Sequence, residues 1–164
     1  MIIKNFQAII PLSAALLMIA FVSCDPTVKL EKQEKEDIQT YLSQNINLNF
    51  VKQQSGLYYH EVLAGTGISP VMGDSAFVKY TGMFLDGTVF DSNVSSGTLF
   101  SFKVGEMIPG FNEGLTLMKA GGKATLLIPS KLAYGQNGRY PYIAGYTPLL
   151  FDIQLVRVVH QTVK

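Results

Sequence analysis

An α+β fold is predicted: a curved five-stranded antiparallel sheet wrapped around one short helix, with an N-terminal helical extension. Three observations carry it. From Gly56 onward, apolar residues recur at every second position in five separate runs, the signature of strands with one buried face. Between two of these runs, Phe111, Leu115 and Met118 follow each other at i, i+4 and i+7, the spacing of one helix face. Before residue 50 the chain is polar with a thin apolar stripe at helical spacing.

In chain order, Asp25–Val28 reads as a short tether containing Pro26. Residues 29–46 then place Ile38, Tyr41, Leu42 and Ile46 on one stripe, while Glu31 and Lys35 stand one turn apart, close enough to pair. A helix over about 31–45 is expected, acting as a spacer. Leu57–Leu63 is the first strand and Ala76–Phe84 the second, with Ala76, Val78 and Tyr80 alternating against Phe77, Lys79 and Thr81. Leu99–Val104 sends Phe100, Phe102 and Val104 to one face. Pro109 suits a first helical turn, and Gly121-Gly122 marks the far end of the helical segment. Lys123–Ile128 and Leu149–Val158 complete the set, Phe151, Ile153 and Leu155 facing away from Asp152 and Gln154. A sheet of this kind with a single helix needs that helix on its apolar face, and its other face is expected to be wet.

Residues 78–92, VKYTGMFLDGTVFDS, carry the strongest functional signal. A strand delivers Tyr80, an Asp86-Gly87 turn reverses the chain, and Phe90-Asp91 returns beside it. This segment resembles the FK506-binding-protein family of peptidyl-prolyl cis–trans isomerases. The resemblance recurs in LFSFKVGEMIPGFNEGLTLM (99–118), KATLLIPSKLAYG (123–135) and PLLFDIQLV (148–156), and so covers roughly residues 55–158. It implies the FKBP-like form of the fold above. It also implies a pocket comprising Tyr80, Phe90, Asp91, Phe100, Met107, Ile108, Phe111, Tyr134, Ile143 and Phe151. In that pocket Asp91, Tyr134 and Tyr80 are the polar residues expected to affect turnover. The Tyr134 hydroxyl and the Ile108 N–H are the expected donors to substrate carbonyls, with Tyr80 orienting Asp91. The implied partners are proline-containing polypeptides and FK506-like macrolides, and no cofactor or metal is required.

The physics of such a pocket stands beside the resemblance. Rotation about an X–Pro bond must break amide resonance, against a barrier of ~18–20 kcal/mol. A dry aromatic hollow favours the twisted, less polar amide over the planar one, which is differential binding of the transition state. Each ~1.4 kcal/mol of that preference is worth tenfold in rate. A lone inward Phe is ordinary core material, and Phe102 is read that way; the ordered recurrence of the whole set is what points to a site.

Three departures from the family pattern stand out. Phe111 occupies the position of the usual floor Trp, and the chain has no Trp. The segment from Gly105 to Phe111 is two residues shorter than in small cytosolic members. GRYPYIAGYTPLLF replaces the common Ile-Pro-Pro loop, so Tyr140, Tyr142 and Tyr146 are expected to form an aromatic rim. These changes support a runner-up reading: an envelope chaperone or peptide-binding module with low isomerase activity.

The N-terminus carries an address. Lys4 precedes an apolar run from Ala8 to Val22, a signal-peptide pattern too short for a membrane span. Phe21-Val22-Ser23-Cys24 resembles the lipobox of bacterial lipoproteins, whose Cys is lipidated and begins the mature protein. Cys24 is the sole Cys, so it has no disulfide partner within the chain. The division expected is 1–23 signal peptide, 24–50 tether and helical extension, and 51–160 isomerase domain. That places the protein in the cell envelope, exported and lipid-anchored, facing the periplasm or on the outer membrane. An ordinary secretory signal and an uncleaved signal anchor are the alternatives.

Composition excludes other classes. Without Lys4 the 13 Lys+Arg fall to twelve, against 12 Asp+Glu, leaving no electrostatic footprint for nucleic acid. His60 and His160 are far apart in sequence, and one Cys offers no ligand cluster of metal spacing. Gly65-Thr66-Gly67 lacks the third Gly and following helix of a dinucleotide site, and no Ser sits in a nucleophile elbow.

Overall fold

The computed structural model describes residues 26–161; the signal segment and Cys24 lie outside them. The chain runs α1 (Pro26–Gln44), β1 (Val51–Lys52), β2 (Tyr58–Leu63), β3 (Ser75–Met83), β4 (Val89–Ser92), β5 (Phe100–Lys103), α2 (Pro109–Thr116), β6 (Lys123–Ile128) and β7 (Leu149–Val159). Each of the five strands read from the sequence is present. The additional two, β1 and β4, are two and four residues long; β1 is too short to show a period, and a bulge breaks the alternation of β4.

All pairings are antiparallel, in the order β1-β2-β6-β7-β3-β4, with β5 also on β3. The inner face buries Ala76, Val78, Leu126, Ile128, Phe151, Ile153 and Leu155 with Phe111 and Leu115 of α2. Gly114 permits the close approach of that helix, since a Cβ there would lie 2.3 Å from Leu126. The helix ends earlier than Gly121-Gly122: the Leu117 N–H bonds the Gly114 carbonyl at 3.2 Å and the Met118 N–H that of Leu115 at 3.0 Å. Those two bonds satisfy carbonyls at the helix end. Met118 stays buried beyond it.

The outer face departs from expectation. Tyr58, Leu127, Leu150 and Met83 are successive cross-strand partners, forming one apolar row across four strands. α1 covers this row with Ile38, which is 5% exposed, flanked by Tyr41 and Leu42. The helix is therefore docked on the domain rather than acting as a free spacer. It begins at Pro26, inside the segment read as a tether, and its ion pair joins Lys32 to Glu36 at 3.5 Å rather than Glu31 to Lys35. Continuous runs at Leu126-Leu127-Ile128 and Leu149-Leu150-Phe151 are the signal for two buried faces.

Candidate functional site

One edge of β3 is shared end to end by β5, beside Ser75–Val78, and β4, beside Thr81–Met83. Asn93 fills the break between them. Its Oδ1 accepts from the Tyr80 N–H at 2.7 Å, and its Nδ2 donates to the carbonyls of Val78 and Thr98, each at 3.0 Å. The side-chain amide thus stands in for a strand partner and fixes the backbone that carries Tyr80.

The return strand β4 is irregular where it matters. Gly82 pairs with Asp91 and Met83 with Val89, which leaves Phe90 as the extra residue of a bulge. Regular alternation would send Phe90 and Asp91 to opposite faces; the bulge re-aims one of them. Phe90 accordingly meets the inner ring of Phe151 edge-on at 5.7 Å, while Asp91 accepts the Tyr80 hydroxyl at 2.7 Å. Gly82 makes room for this, because a Cβ there would lie 2.7 Å from the Phe90 ring and 2.9 Å from that of Phe151.

Phe111 is the floor, 1% exposed, with Phe151 at 5.2 Å, Phe102 at 5.8 Å and Tyr80 at 6.3 Å, all near edge-to-face. Phe100 stacks on Phe102 at 5.2 Å and tilts against Tyr80 at 5.6 Å. Phe151 and Ile143 are buried in the same cluster; Tyr80, Phe90, Phe100, Met107, Ile108 and Tyr134 are half-buried and packed against it. Every residue of the expected pocket therefore belongs to this one cluster, with Asp91 joined to it through Tyr80. Phe102 is core, as its reading required.

The polar groups are few and placed at the rim. Burial pushes the Tyr80 hydroxyl far above the ordinary phenol value, and the hydrogen bond and charge of Asp91 push it further. Tyr80 is thus a neutral donor at physiological pH, and Asp91 its acceptor. Asn112 orders the α2 approach: Gly105 N–H donates to its Oδ1 at 2.9 Å and its Nδ2 to the Met107 carbonyl at 2.5 Å. Among the described residues the Ile108 N–H has no hydrogen-bond acceptor, while the Ile108 carbonyl takes the N–H groups of Phe111 and Asn112.

Three features went unread in the sequence. Asn93 looks like any polar loop residue. Arg139 stands 5.8 Å from the Tyr134 ring centre with Nη1 3.5 Å from its hydroxyl, and only its place between Gly138 and Tyr140 hinted at this. The expected tyrosine rim also divides. Tyr140 and Tyr142 project at 94% and 76% exposure, whereas Tyr146 turns toward α1 and lines clefts beside that helix. Its positive φ of 58° turns the chain there.

An antiparallel sheet closed on its inner face by α2 and on its outer face by α1, with a cluster of aromatic rings edged by few polar groups, defines a structural class. Comparison with known proteins names the class. The family model for FKBP-type peptidyl-prolyl cis-trans isomerase matches residues 67–156. The chain is 40% identical over 120 residues to the FKBP-type 22 kDa peptidyl-prolyl cis-trans isomerase of Escherichia coli, covering 73% of this chain and 58% of that one. It is 38% identical over 131 residues to the outer membrane protein MIP of Legionella longbeachae, covering 79% and 56%. In structure it is similar to a peptidyl-prolyl cis-trans isomerase from Pseudomonas syringae, with TM-score 0.73, 30% identity, and coverage of 83% of this chain and 98% of that one. FkpA from Escherichia coli superposes with TM-score 0.69 and 34% identity, covering 81% and 64%. The chain belongs to the FKBP-type peptidyl-prolyl cis-trans isomerase family. It spans about half the length of the curated relatives it matches.

Proposed function

We propose that this protein accelerates X–Pro bond rotation in polypeptides by holding the twisted amide in the basin around Phe111. The observation that carries this reading is the convergence of the half-buried rings of Tyr80, Phe90 and Phe100 on the buried Phe111 and Phe151. The proline ring would rest on Phe111 between Phe151 and Phe100, with Met107, Ile108 and Ile143 filling the gaps. The unpaired Ile108 N–H and the Tyr134 hydroxyl are the donors for substrate carbonyls. Asp91, held by Tyr80, lies where the twisting carbonyl passes.

No proton is transferred and no bond is cut. A thousandfold acceleration asks for about 4 kcal/mol of preference for the twisted form, within reach of a dry contact plus two hydrogen bonds. The test is exchange-rate measurement by NMR on Leu-Pro and Phe-Pro peptides, with a FK506-like macrolide as competitor. Faster exchange that the macrolide abolishes is expected; the absence of both acceleration and macrolide binding would overturn the proposal.

A second reading has its own observation. Tyr140 and Tyr142 stand almost free beside the site, and exposed aromatic rings are handles for unfolded chains. On this reading the protein is an envelope chaperone that binds extended polypeptide and turns over slowly. Suppressed aggregation of a refolding client, unaffected by the macrolide and lost in the Tyr140→Ser, Tyr142→Ser variant, would support it.

For location, we infer export and lipidation at Cys24, with residues 1–23 as signal peptide, 24–50 as extension and 51–160 as isomerase domain. The lipobox-like Phe21-Val22-Ser23-Cys24 supports this, and the relative named an outer membrane protein agrees with an envelope address. Among the described residues no helix is long and apolar enough to cross a membrane, so attachment would rest on acyl chains. Incorporation of a clickable fatty acid that disappears in Cys24→Ala is the expected result.

A further inference from the structure

A carboxylate on the docked helix reaches the loop that carries Tyr134. Glu34 of α1 accepts both the Ser130 N–H, at 2.5 Å, and the Ser130 hydroxyl, at 2.7 Å, although 96 residues separate them. Ser130 is buried, two residues past the end of β6. Its carbonyl in turn accepts the N–H groups of Ala133 and Gly135, each at 2.8 Å, the residues on either side of Tyr134. The Tyr134 carbonyl accepts the Gly138 N–H at 3.1 Å, and the Gly135 carbonyl the Tyr146 N–H at 2.9 Å. One serine is thus gripped from the outer side by a helix and grips, on its other side, the two peptide groups that aim a pocket tyrosine.

We propose that Glu34 is a positioning residue: through Ser130 it sets the conformation of the 130–135 turn and hence where the Tyr134 hydroxyl stands. The physical reason is stiffness. A turn of three residues at Ser130–Leu132 has few internal bonds of its own. Two charge-assisted bonds to its first residue are stronger than the neutral bonds they replace, and they remove the freedom of that residue to rotate. Anchoring of α1 does not require them, since Ile38 buries itself one turn further along among Tyr58, Leu127 and Leu150. The consequence is that the extension preceding the isomerase fold tunes the site from the opposite face of the sheet. This inference rests on Tyr134 being a substrate contact.

The experiment is a double-variant cycle in the full chain with Glu34→Ala and Tyr134→Phe, reading kcat and KM separately on a Leu-Pro peptide and the Tyr134 and Gly135 resonances by NMR. Glu34→Ala should lower kcat/KM roughly threefold to tenfold, the range of one hydrogen bond lost or loosened, and shift both resonances. In the Tyr134→Phe background it should lower kcat/KM no further. Ser130→Ala, which keeps the N–H bond, should give a weaker version of the same pattern. Glu36→Ala, on the exposed side of the helix, should leave rates and resonances unchanged. An equal loss from Glu34→Ala in both backgrounds, or unmoved Tyr134 and Gly135 resonances, would overturn the inference. Wild-type turnover in Tyr134→Phe would instead overturn the reading of Tyr134 as a substrate contact. Shifted resonances in Glu34→Ala would then still uphold the link between helix and loop, so the two failures are told apart.

Discussion

The inner and outer faces of the sheet are built from adjacent residues of the same strands, yet they are closed in different ways. The inner row Tyr59, Leu126, Phe151 and Gly82 lies one position along from the outer row Tyr58, Leu127, Leu150 and Met83. The outer row is aliphatic apart from Tyr58 and is closed by Ile38 of α1. The inner row is equally buried but lacks a side chain at Gly82, where the half-buried Phe90 and the buried Phe151 close in. A sheet buries apolar surface wherever it can. Tyr80, Phe90 and Phe100 beside that inner row stay half-buried, whereas the outer row recruits a helix. The outer face holds the extension in place, and on the function proposed above the inner face would receive the substrate.

The largest expected effect comes from attacking the floor. Phe111→Ala should cost about 3–5 kcal/mol in urea unfolding, the range for a buried ring, and should abolish macrolide binding. Ile38→Ala should cost only about 2 kcal/mol and should raise amide exchange in α1 while that of β3 and β7 stays slow. Equal losses with identical exchange patterns would dissolve the distinction between the faces.

Gly82→Ala is the sharper probe of the inner face. The new methyl must displace the ring of Phe90 or Phe151, at about 1–3 kcal/mol by analogy with overpacked cores. Catalytic efficiency should fall at least about tenfold, because the rings move with it. Met83→Ala, at the neighbouring outer position, should leave turnover at the wild-type level.

Tyr80→Phe removes the bond to Asp91 and leaves the ring contacts. Turnover should drop about threefold to tenfold with a melting temperature close to wild type. The pH profile gives a second reading. The Tyr80 hydroxyl is raised in the folded protein, so its contribution is fully present below the ordinary phenol value, about pH 10, and is lost as pH rises through the folded value. Tyr41 and Tyr59 shift in the same direction, burial being the main cause for each. Alkaline unfolding should therefore begin above about pH 10, with a shallower limb in Tyr80→Phe.

The smallest effect belongs to a clasp outside both faces. Asp74, buried beside the end of β7, accepts the Val71 N–H at 2.9 Å, His160 Nδ1 at 2.7 Å and the Gln161 N–H at 3.3 Å. The Val71 bond first, and then His160 and Gln161, hold its carboxyl below the usual range despite an opposing desolvation. Its contribution is present above about pH 4 and is lost as pH falls through the folded value. Asp74→Asn should flatten the acid limb of the stability curve and leave isomerase kinetics unchanged.

Much of this was legible in the order of residues. Alternation located five strands, and Phe111, Leu115 and Met118 at helical spacing located the helix and its buried side, because both periods follow from backbone geometry alone. The four motif blocks identified the rings that would meet. The bulge that turns Phe90 and Asp91 to the same side has no local marker, since it depends on the register between β3 and β4. Asn93 became a strand surrogate only because β4 and β5 leave a gap beside Tyr80. The docking of α1 was half-written in the unbroken Leu126-Leu127-Ile128 run, but which face of which helix would cover it was not.

What the sequence determined by itself, then, is five of the seven strands, both helices, the inner apolar face and the family; these are consequences of periodicity and of side chains read in order. Tertiary structure alone decided the pairing register, the covering of the outer face, and the contact of Glu34 with Ser130. Such contacts join residues far apart along the chain, and no local preference of either partner encodes the other. They arise only when burial of the apolar rows has brought the segments together.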